Sequence, residues 1–196
     1  MIRLADNLTG NSSGNTTANS LAKEIFDWVI HMVLAILVGL FIVTFVAQRT
    51  IVDGNSMYPT LKDGDQLIVE KISPRLGKLK RGDVVTVYIP EFLEEGKDFV
   101  VKRIIALEND TVEIKDGKVF VNGEEIQEDY INGNTTEEVD PRYSKVTVPK
   151  DCVYLLGDNR MPHSSLDSRS IGPVNKKKIM GKVIYRFYPF NKAGKI

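Results

Sequence analysis

The stretch "TVEIKDGKVFVNGEEI", residues 111–126, decides the fold. Its apolar side chains alternate with polar ones, the period of a strand that buries one face. It also holds an Asp-Gly step at 116–117 and an Asn-Gly step at 122–123. Both steps tolerate the positive φ that a two-residue hairpin turn requires. The same period runs outward in both directions. "DQLIVEKI", "GDVVTVYI", "FVVKRIIAL", "KVTV", "CVYLLGD" and "KVIYRFYPF" are short runs rich in Val, Ile, Tyr and Phe, separated by Gly, Asp, Asn and Pro. No amphipathic helix of useful length interrupts them. Residues 49–196 therefore read as a mainly β, largely antiparallel domain.

The chain has 196 residues, enough for one domain of ordinary size plus an appendage. Lys+Arg and Asp+Glu stand at 26 each, so the formal charge is zero, which argues against a nucleic-acid binder. Cys152 is the one cysteine. It cannot form an internal disulfide, and no Cys/His cluster suggests a metal. Its place in an apolar strand reads as a buried structural thiol. No glycine-rich phosphate loop and no GxGxxG appears, so nucleotide chemistry has no support.

Residues 1–27 hold a polar tail rich in Asn, Ser, Thr and Gly, expected to be disordered, and a short pre-membrane segment. Residues 28–48 follow as the expected transmembrane helix. Its core, "WVIHMVLAILVGLFIVTFVA", has no fixed charge and is long enough to cross a hydrocarbon core of ~30 Å. Trp28 stands at one end and Arg49 just past the other, as interfacial residues do. The run is too long for a cleaved leader, and no small-x-small site closes it. Basic residues are nearly balanced on the two sides, so charge leaves the orientation open.

"GNSMYPTL", residues 54–61, follows the span. Ser56 reads there either as a turn former or as a nucleophile that lacks a base. His31 lies in the span and His163 in a polar loop, so no Ser/His/Asp set is apparent. Lys102 offers another base. In a strand it shares a face with Val100 and Ile104, while Val101, Arg103 and Ile105 face the other way. Apolar flanks disfavour the ammonium and lower its pKa, which would let Lys102 take the Ser56 proton. A lysine on a half-exposed strand can equally reach out to water. Further on, "LGDNRMPHSSLDSRSIGP", residues 156–173, packs Asp158, Asn159, Arg160, Asp167 and Arg169 among serines. It reads as a hydrophilic loop or as a paired polar network that orients other groups.

Taken together, these segments resemble bacterial type I signal peptidases, the Ser-Lys membrane proteases. The order is a membrane anchor, then "SMYPTL", "GDVV", "VKRII", "GDNR" and "DSR", over roughly residues 25–190. The resemblance implies Ser56 as nucleophile, Lys102 as general base and Ser165 as the group orienting the Lys102 amine. Arg103, Asp158, Asp167 and Arg169 would form a salt-bridged support, and the Ser56 backbone N–H would line an oxyanion hole. It further implies cleavage of secretory preproteins after a small-x-small motif bound as an added strand. No metal or cofactor is implied. The protein would be a single-pass cell-membrane enzyme in contact with lipid, with its catalytic domain on the extracytoplasmic side, functional as a monomer.

Three departures from the family pattern stand out. Gly54 replaces a serine that in some members donates to the oxyanion hole. The loop before Asp167 is about two residues longer than usual, which bears on the position of Ser165. "ALEND" at 106–110 replaces Gly-Leu-Pro-Gly-Asp, with Asn109 able to turn the chain. Residues 114–150 would form only a small variable subdomain. The rival readings are an inactive membrane-anchored β module and a self-cleaving repressor. The presence of both Ser56 and Lys102 argues against the first. The membrane span and the lack of a helical DNA-binding region argue against the second. An archaeal or endoplasmic-reticulum type would carry His in place of Lys102.

Overall fold

The computed structural model describes residues 14–196. The polar tail before residue 14 lies outside the described residues. Helix α1 runs Gly14–Phe41 and continues as a π-helical turn over Ile42–Val46. The apolar stretch Lys23–Val46 is long enough to cross a membrane, and none of it is buried by the rest of the chain. Two expectations change here. From residue 14 onward the tail is helical rather than disordered, as a continuation of the same helix that carries the apolar stretch. The far boundary also moves in, because Ala47 already belongs to a strand. Ala47–Ile51 pairs residue by residue with Gln66–Glu70, and that ladder takes the chain out of the helix.

The chain divides after Val43 into the helix and a β domain. Twelve strands make up that domain: β1 (Ala47–Ile51), β2 (Gln66–Glu70), β3 (Val84–Tyr88), β4 (Phe99–Ala106), β5 (Thr111–Lys115), β6 (Lys118–Val121), β7 (Glu124–Glu125), β8 (Lys145–Thr147), β9 (Cys152–Leu156), β10 (Val174–Asn175), β11 (Ile179–Tyr188) and β12 (Gly194–Lys195). The larger sheet has the order β1-β2-β11-β3-β4-β9-β10, with β12 on β11. The smaller sheet is β7-β6-β5-β8. Every strand pair is antiparallel. The helices within the domain are single turns: α2 (Ile72–Arg75), α3 (Pro141–Ser144) and α4 (Ser168–Ile171).

The opening stretch makes the hairpins its sequence calls for. Lys115 pairs with Lys118 across Asp116–Gly117, and Val121 with Glu124 across Asn122–Gly123. All four turn residues have positive φ, the conformation that matches strand twist in two-residue loops. Asn109 also turns with positive φ.

Three apolar clusters carry the fold. Val112, Ile114, Val119 and Val121 of the smaller sheet pack with Tyr154 and Leu156 of β9. Cys152 lies against this cluster, only partly buried, so its thiol is less enclosed than its apolar run suggests. Val85, Val87, Ile104 and Leu155 form a second cluster. Val52, Met57, Leu61, Leu67, Val69, Val84 and Val183 form the third. This last cluster pins the segment around Ser56, because Val52, Met57 and Leu61 are its own neighbours in sequence.

Gly117 is the strictest turn position, with φ +77 and the Thr135 methyl 3.0 Å from where a Cβ would stand. Gly117→Ala is expected to cost about 1–2 kcal/mol, through the left-handed backbone and that contact. A lowered urea midpoint with unchanged slope would report it.

Candidate active site

Ser56 stands in the turn between β1 and β2. The Tyr58 N–H donates to the Asn55 carbonyl at 3.1 Å, and the Leu61 N–H to the Met57 carbonyl at 2.8 Å. Val52 before the serine and Met57 and Leu61 after it are buried, so the serine is held by its neighbours' packing. β4 delivers the lysine. Lys102 Nζ donates to Ser56 Oγ at 2.7 Å, across 46 residues of sequence.

The ladder decides which neighbours Lys102 has. Lys102 pairs with Val85 and Val100 with Val87 on β3, and Ile104 pairs with Leu155 on β9. Directly opposed residues share a face, so Lys102 stands among Val85, Val87, Val100, Ile104 and Leu155. Val101 turns to the cluster around Met57, and Ile105 to that under the smaller sheet. Lys102 is only 2% exposed. Burial lowers its pKa to about 8 against the opposing pull of Asp167; Arg169 lowers it too, and Asp158 raises it. The lysine therefore does not reach out to water.

Both carboxylates near the lysine are matched by their own arginines. Arg103 grips Asp158 through Nε at 2.8 Å and Nη2 at 2.6 Å, and Thr60 Oγ1 donates to the same carboxylate at 2.5 Å. Arg169 grips Asp167 through Nε and Nη2, each at 2.9 Å. Asp167 also caps α4 and accepts the Gly157 N–H at 3.0 Å. Burial pushes its carboxyl up, but Arg169 and the Gly157 N–H outweigh that and hold it below the usual carboxylate range. All four side chains of these pairs are largely or fully buried.

Gly157 lies between the two serines of the site. A Cβ there would fall 2.3 Å from Ser165 Oγ and 2.5 Å from the Ser56 carbonyl oxygen. Ser165 thus lies beside the site. Its hydroxyl is sealed from solvent and makes no hydrogen bond of good geometry among the described residues, with Lys102 or any other group, though it lies near enough to Asp167 to help hold that carboxyl down. The N–H of Gly54, at the departure noted in sequence, donates to Asp63 at 2.8 Å. His163 lies on an exposed turn.

Arg160, grouped in the sequence with the charges of 156–173, is part of a paired network, and its partners in that network had no reading in the sequence. Arg160 is 1% exposed and bonds Glu128, Thr136 and the Gly157 carbonyl. Tyr130 lies 4.1 Å under the Arg103 guanidinium and donates to Glu128 at 3.0 Å. Glu128, Tyr130 and Thr136 come from the connection between β7 and β8. A pairing over 32 residues with no periodic signal gives sequence reasoning nothing to act on.

Beside Ser56 and Lys102 opens a cleft of about 450 Å³, lined largely by apolar groups such as Val52, Met57, Val100 and Leu166. Along it, β4 from 99 to 102 is paired only with β3, because its pairing with β9 begins at Arg103. That leaves one backbone edge of the strand open to a further strand.

A serine hydroxyl hydrogen-bonded to a buried amine of lowered pKa, beside a cleft with an open strand edge, is the arrangement of a Ser-Lys hydrolase. Residues 25–188 match the family model described as signal peptidase, peptidase S26, and the chain belongs to that family. It is 36% identical over 163 residues to a signal peptidase I of Leptolyngbya laminosa, covering 81% of this chain and 77% of the relative. It is also 36% identical to signal peptidase I T of Bacillus subtilis (strain 168) over 161 residues, 79% of this chain and 80% of the relative. A crystal structure of a signal peptidase I from Enterococcus faecalis V583 is similar over 54% of this chain and 96% of that one, at 30% identity and a TM-score of 0.44.

The lowered lysine pKa fixes a sign for stability. Between about pH 8 and 10.5 the unfolded chain holds a proton that the folded chain has lost. Stability should therefore rise with pH through that window, and below it the amine costs about 3 kcal/mol. Lys102→Met keeps the volume without the charge. It is expected to be at least as stable as the parent at pH 7 and to lose the alkaline rise. Denaturant midpoints of the full chain in detergent, taken across pH, measure both.

Proposed function

We propose that the protein is a signal peptidase I that removes signal peptides from secretory preproteins after a small-x-small motif. The 2.7 Å contact between Ser56 Oγ and the buried Lys102 amine carries this reading. The substrate binds extended, adding a strand to the open edge of β4. Neutral Lys102 takes the Ser56 proton as Oγ attacks the scissile carbonyl carbon. The Ser56 N–H stabilises the resulting oxyanion. Collapse breaks the C–N bond, and the Lys102 ammonium gives its proton to the leaving amine. Water, deprotonated by Lys102, then attacks the acyl ester and regenerates Ser56. No step calls on a metal or cofactor.

Arg103, Asp158, Asp167 and Arg169 act as the support that fixes β4 against the loop carrying Ser165. Ser165 turns its hydroxyl to the Lys102 amine once substrate fills the site, which would give a buried oxygen a hydrogen bond of good geometry that it otherwise lacks. The apolar helix anchors the enzyme once in the cell membrane, in contact with lipid, with the β domain on the extracytoplasmic side. One copy contains every group named, so a monomer suffices.

Incubating detergent-solubilised full chain with a preprotein and mapping the cut tests the reading. Ser56→Ala and Lys102→Ala are each expected to abolish cleavage while the domain stays folded, because nucleophile and base act as a unit. Lys102→Arg should fail as well, since a guanidinium stays protonated. Substantial activity in Lys102→Arg would remove lysine from the mechanism. His163→Ala should stay within a few-fold of the parent.

The acidic limb of kcat/KM should lie near pH 8, because Lys102 must lose its proton to act and does so only above its pKa. Val100→Thr or Ile104→Thr hydrates the amine and should move the limb to higher pH. Val101→Thr or Ile105→Thr, on the other face, should change stability instead. Equal movement of the limb from both faces would contradict this assignment.

A further inference from the structure

Asn159 grips the peptides on both sides of Ser56. Asn159 Nδ2 donates to the Asn55 carbonyl at 3.0 Å, and the Asn159 backbone N–H donates to the Ser56 carbonyl at 3.0 Å. The Asn55–Ser56 bond is trans, so its C=O and N–H point in opposite directions. Anchoring that carbonyl on Asn159 therefore aims the Ser56 N–H away from Asn159. This N–H has no acceptor among the described residues.

Asn159 is itself held. It is 7% exposed, and its Oδ1 accepts Asn132 Nδ2 at 3.0 Å. With Oδ1 engaged there, Nδ2 is the end that faces Asn55. Asn132 is fixed by backbone: its N–H donates to the Asp158 carbonyl at 2.8 Å, and its carbonyl accepts the Arg160 N–H at 2.9 Å. Asn132 lies in the connection between β7 and β8, so this amide chain links the smaller sheet to the serine.

We propose that Asn159, set by Asn132, is a positioning residue that aims the Ser56 N–H at the oxyanion of the tetrahedral intermediate. The proposal rests on the serine mechanism above. Neither amide is hydrogen-bonded to Lys102, so the effect belongs to stabilisation of the oxyanion and not to activation of the base. A misaimed donor weakens the transition state more than the bound substrate, which lowers kcat and leaves KM.

The test uses full chain in detergent, a preprotein substrate, and a peptide aldehyde that forms a tetrahedral adduct with the serine. Cleavage by the parent and none by Ser56→Ala must come first; failure there overturns the mechanism rather than the role of Asn159. Asn159→Ala is then expected to lower kcat about tenfold, less than outright loss of an oxyanion donor. KM should stay within about twofold and the acidic limb should not move. Aldehyde affinity should fall by the same factor as kcat/KM. Asn132→Ala keeps the backbone bonds and should show a smaller effect of the same kind, and the double variant should be no worse than Asn159→Ala alone. Unchanged aldehyde affinity in both single variants, a shifted limb, or a loss confined to KM would overturn the proposal. If Asn159→Ala does not fold, Asn132→Ala decides by the same readouts.

Discussion

Everything in the β domain is arranged around an amine held out of water. An ammonium in an apolar setting is costly, and the usual outcome is that the side chain reaches the surface or gives up its proton. Lys102 cannot reach the surface. β4 is laddered to β3 from Phe99 to Arg103 and to β9 from Arg103 onward, and Val85, Val87 and Ile104 close the flank. The lowered pKa follows from those ladders, so the register of three strands sets the basicity of one nitrogen. The serine is brought to that nitrogen by packing of a different kind: Val52 before it and Met57 and Leu61 after it are drawn into the core, and the hydroxyl between them is left facing Lys102.

That arrangement consumes stability. A domain of this size has a net stability of about 5–15 kcal/mol, and an enclosed amine removes about 3 of it at neutral pH. The compensation lies in the three apolar clusters and in paired charges whose partners are also enclosed. The smaller sheet contributes to both. Its apolar face packs on Tyr154 and Leu156 of β9, and the connection it carries brings Glu128 to Arg160 and Tyr130 to Arg103. This connection therefore buttresses the loop that runs past the serine.

The hairpins and the strand alternation were legible because they are local. Asp116-Gly117 and Asn122-Gly123 specify their turns through φ alone, and a period of two survives any tertiary context that buries one face. The same period placed Lys102 beside Val100 and Ile104, as the ladder has it. The boundaries of the helix were not legible. Helix propensity alone does not mark where the polar tail joins the helix, and its far end is set by the ladder between β1 and β2, a tertiary event. Of the candidate site, the residue types were legible and the pairings were not. Asp158 with Arg103 and Asp167 with Arg169 sit in one polar list in the sequence. Only the fold shows that each carboxylate has its own guanidinium. Glu128, Tyr130 and Asn132 carried no signal, because their importance comes from contacts with residues about 30 positions away.

The pairing of carboxylates with arginines bears directly on the Lys102 amine. Asp167 and Asp158 both favour the charged form of Lys102, and either one unpaired in an enclosed site would hold the ammonium firmly protonated. Arg169 opposes that pull directly, and Arg103 engages both oxygens of Asp158. Desolvation is thereby left as the largest influence on the amine. The four charges also provide a rigid frame: bidentate guanidinium–carboxylate pairs fix distance and plane together. One pair joins β4 to the loop after β9, and the other lies within the start of α4, where Asp167 also takes the Gly157 N–H of that loop. A single lysine in the cluster, in place of either arginine, would give a point charge without the planar fork and leave the angle of the loop undetermined. The arginines therefore serve twice, holding the loop beside the serine and offsetting the field that would otherwise keep Lys102 protonated.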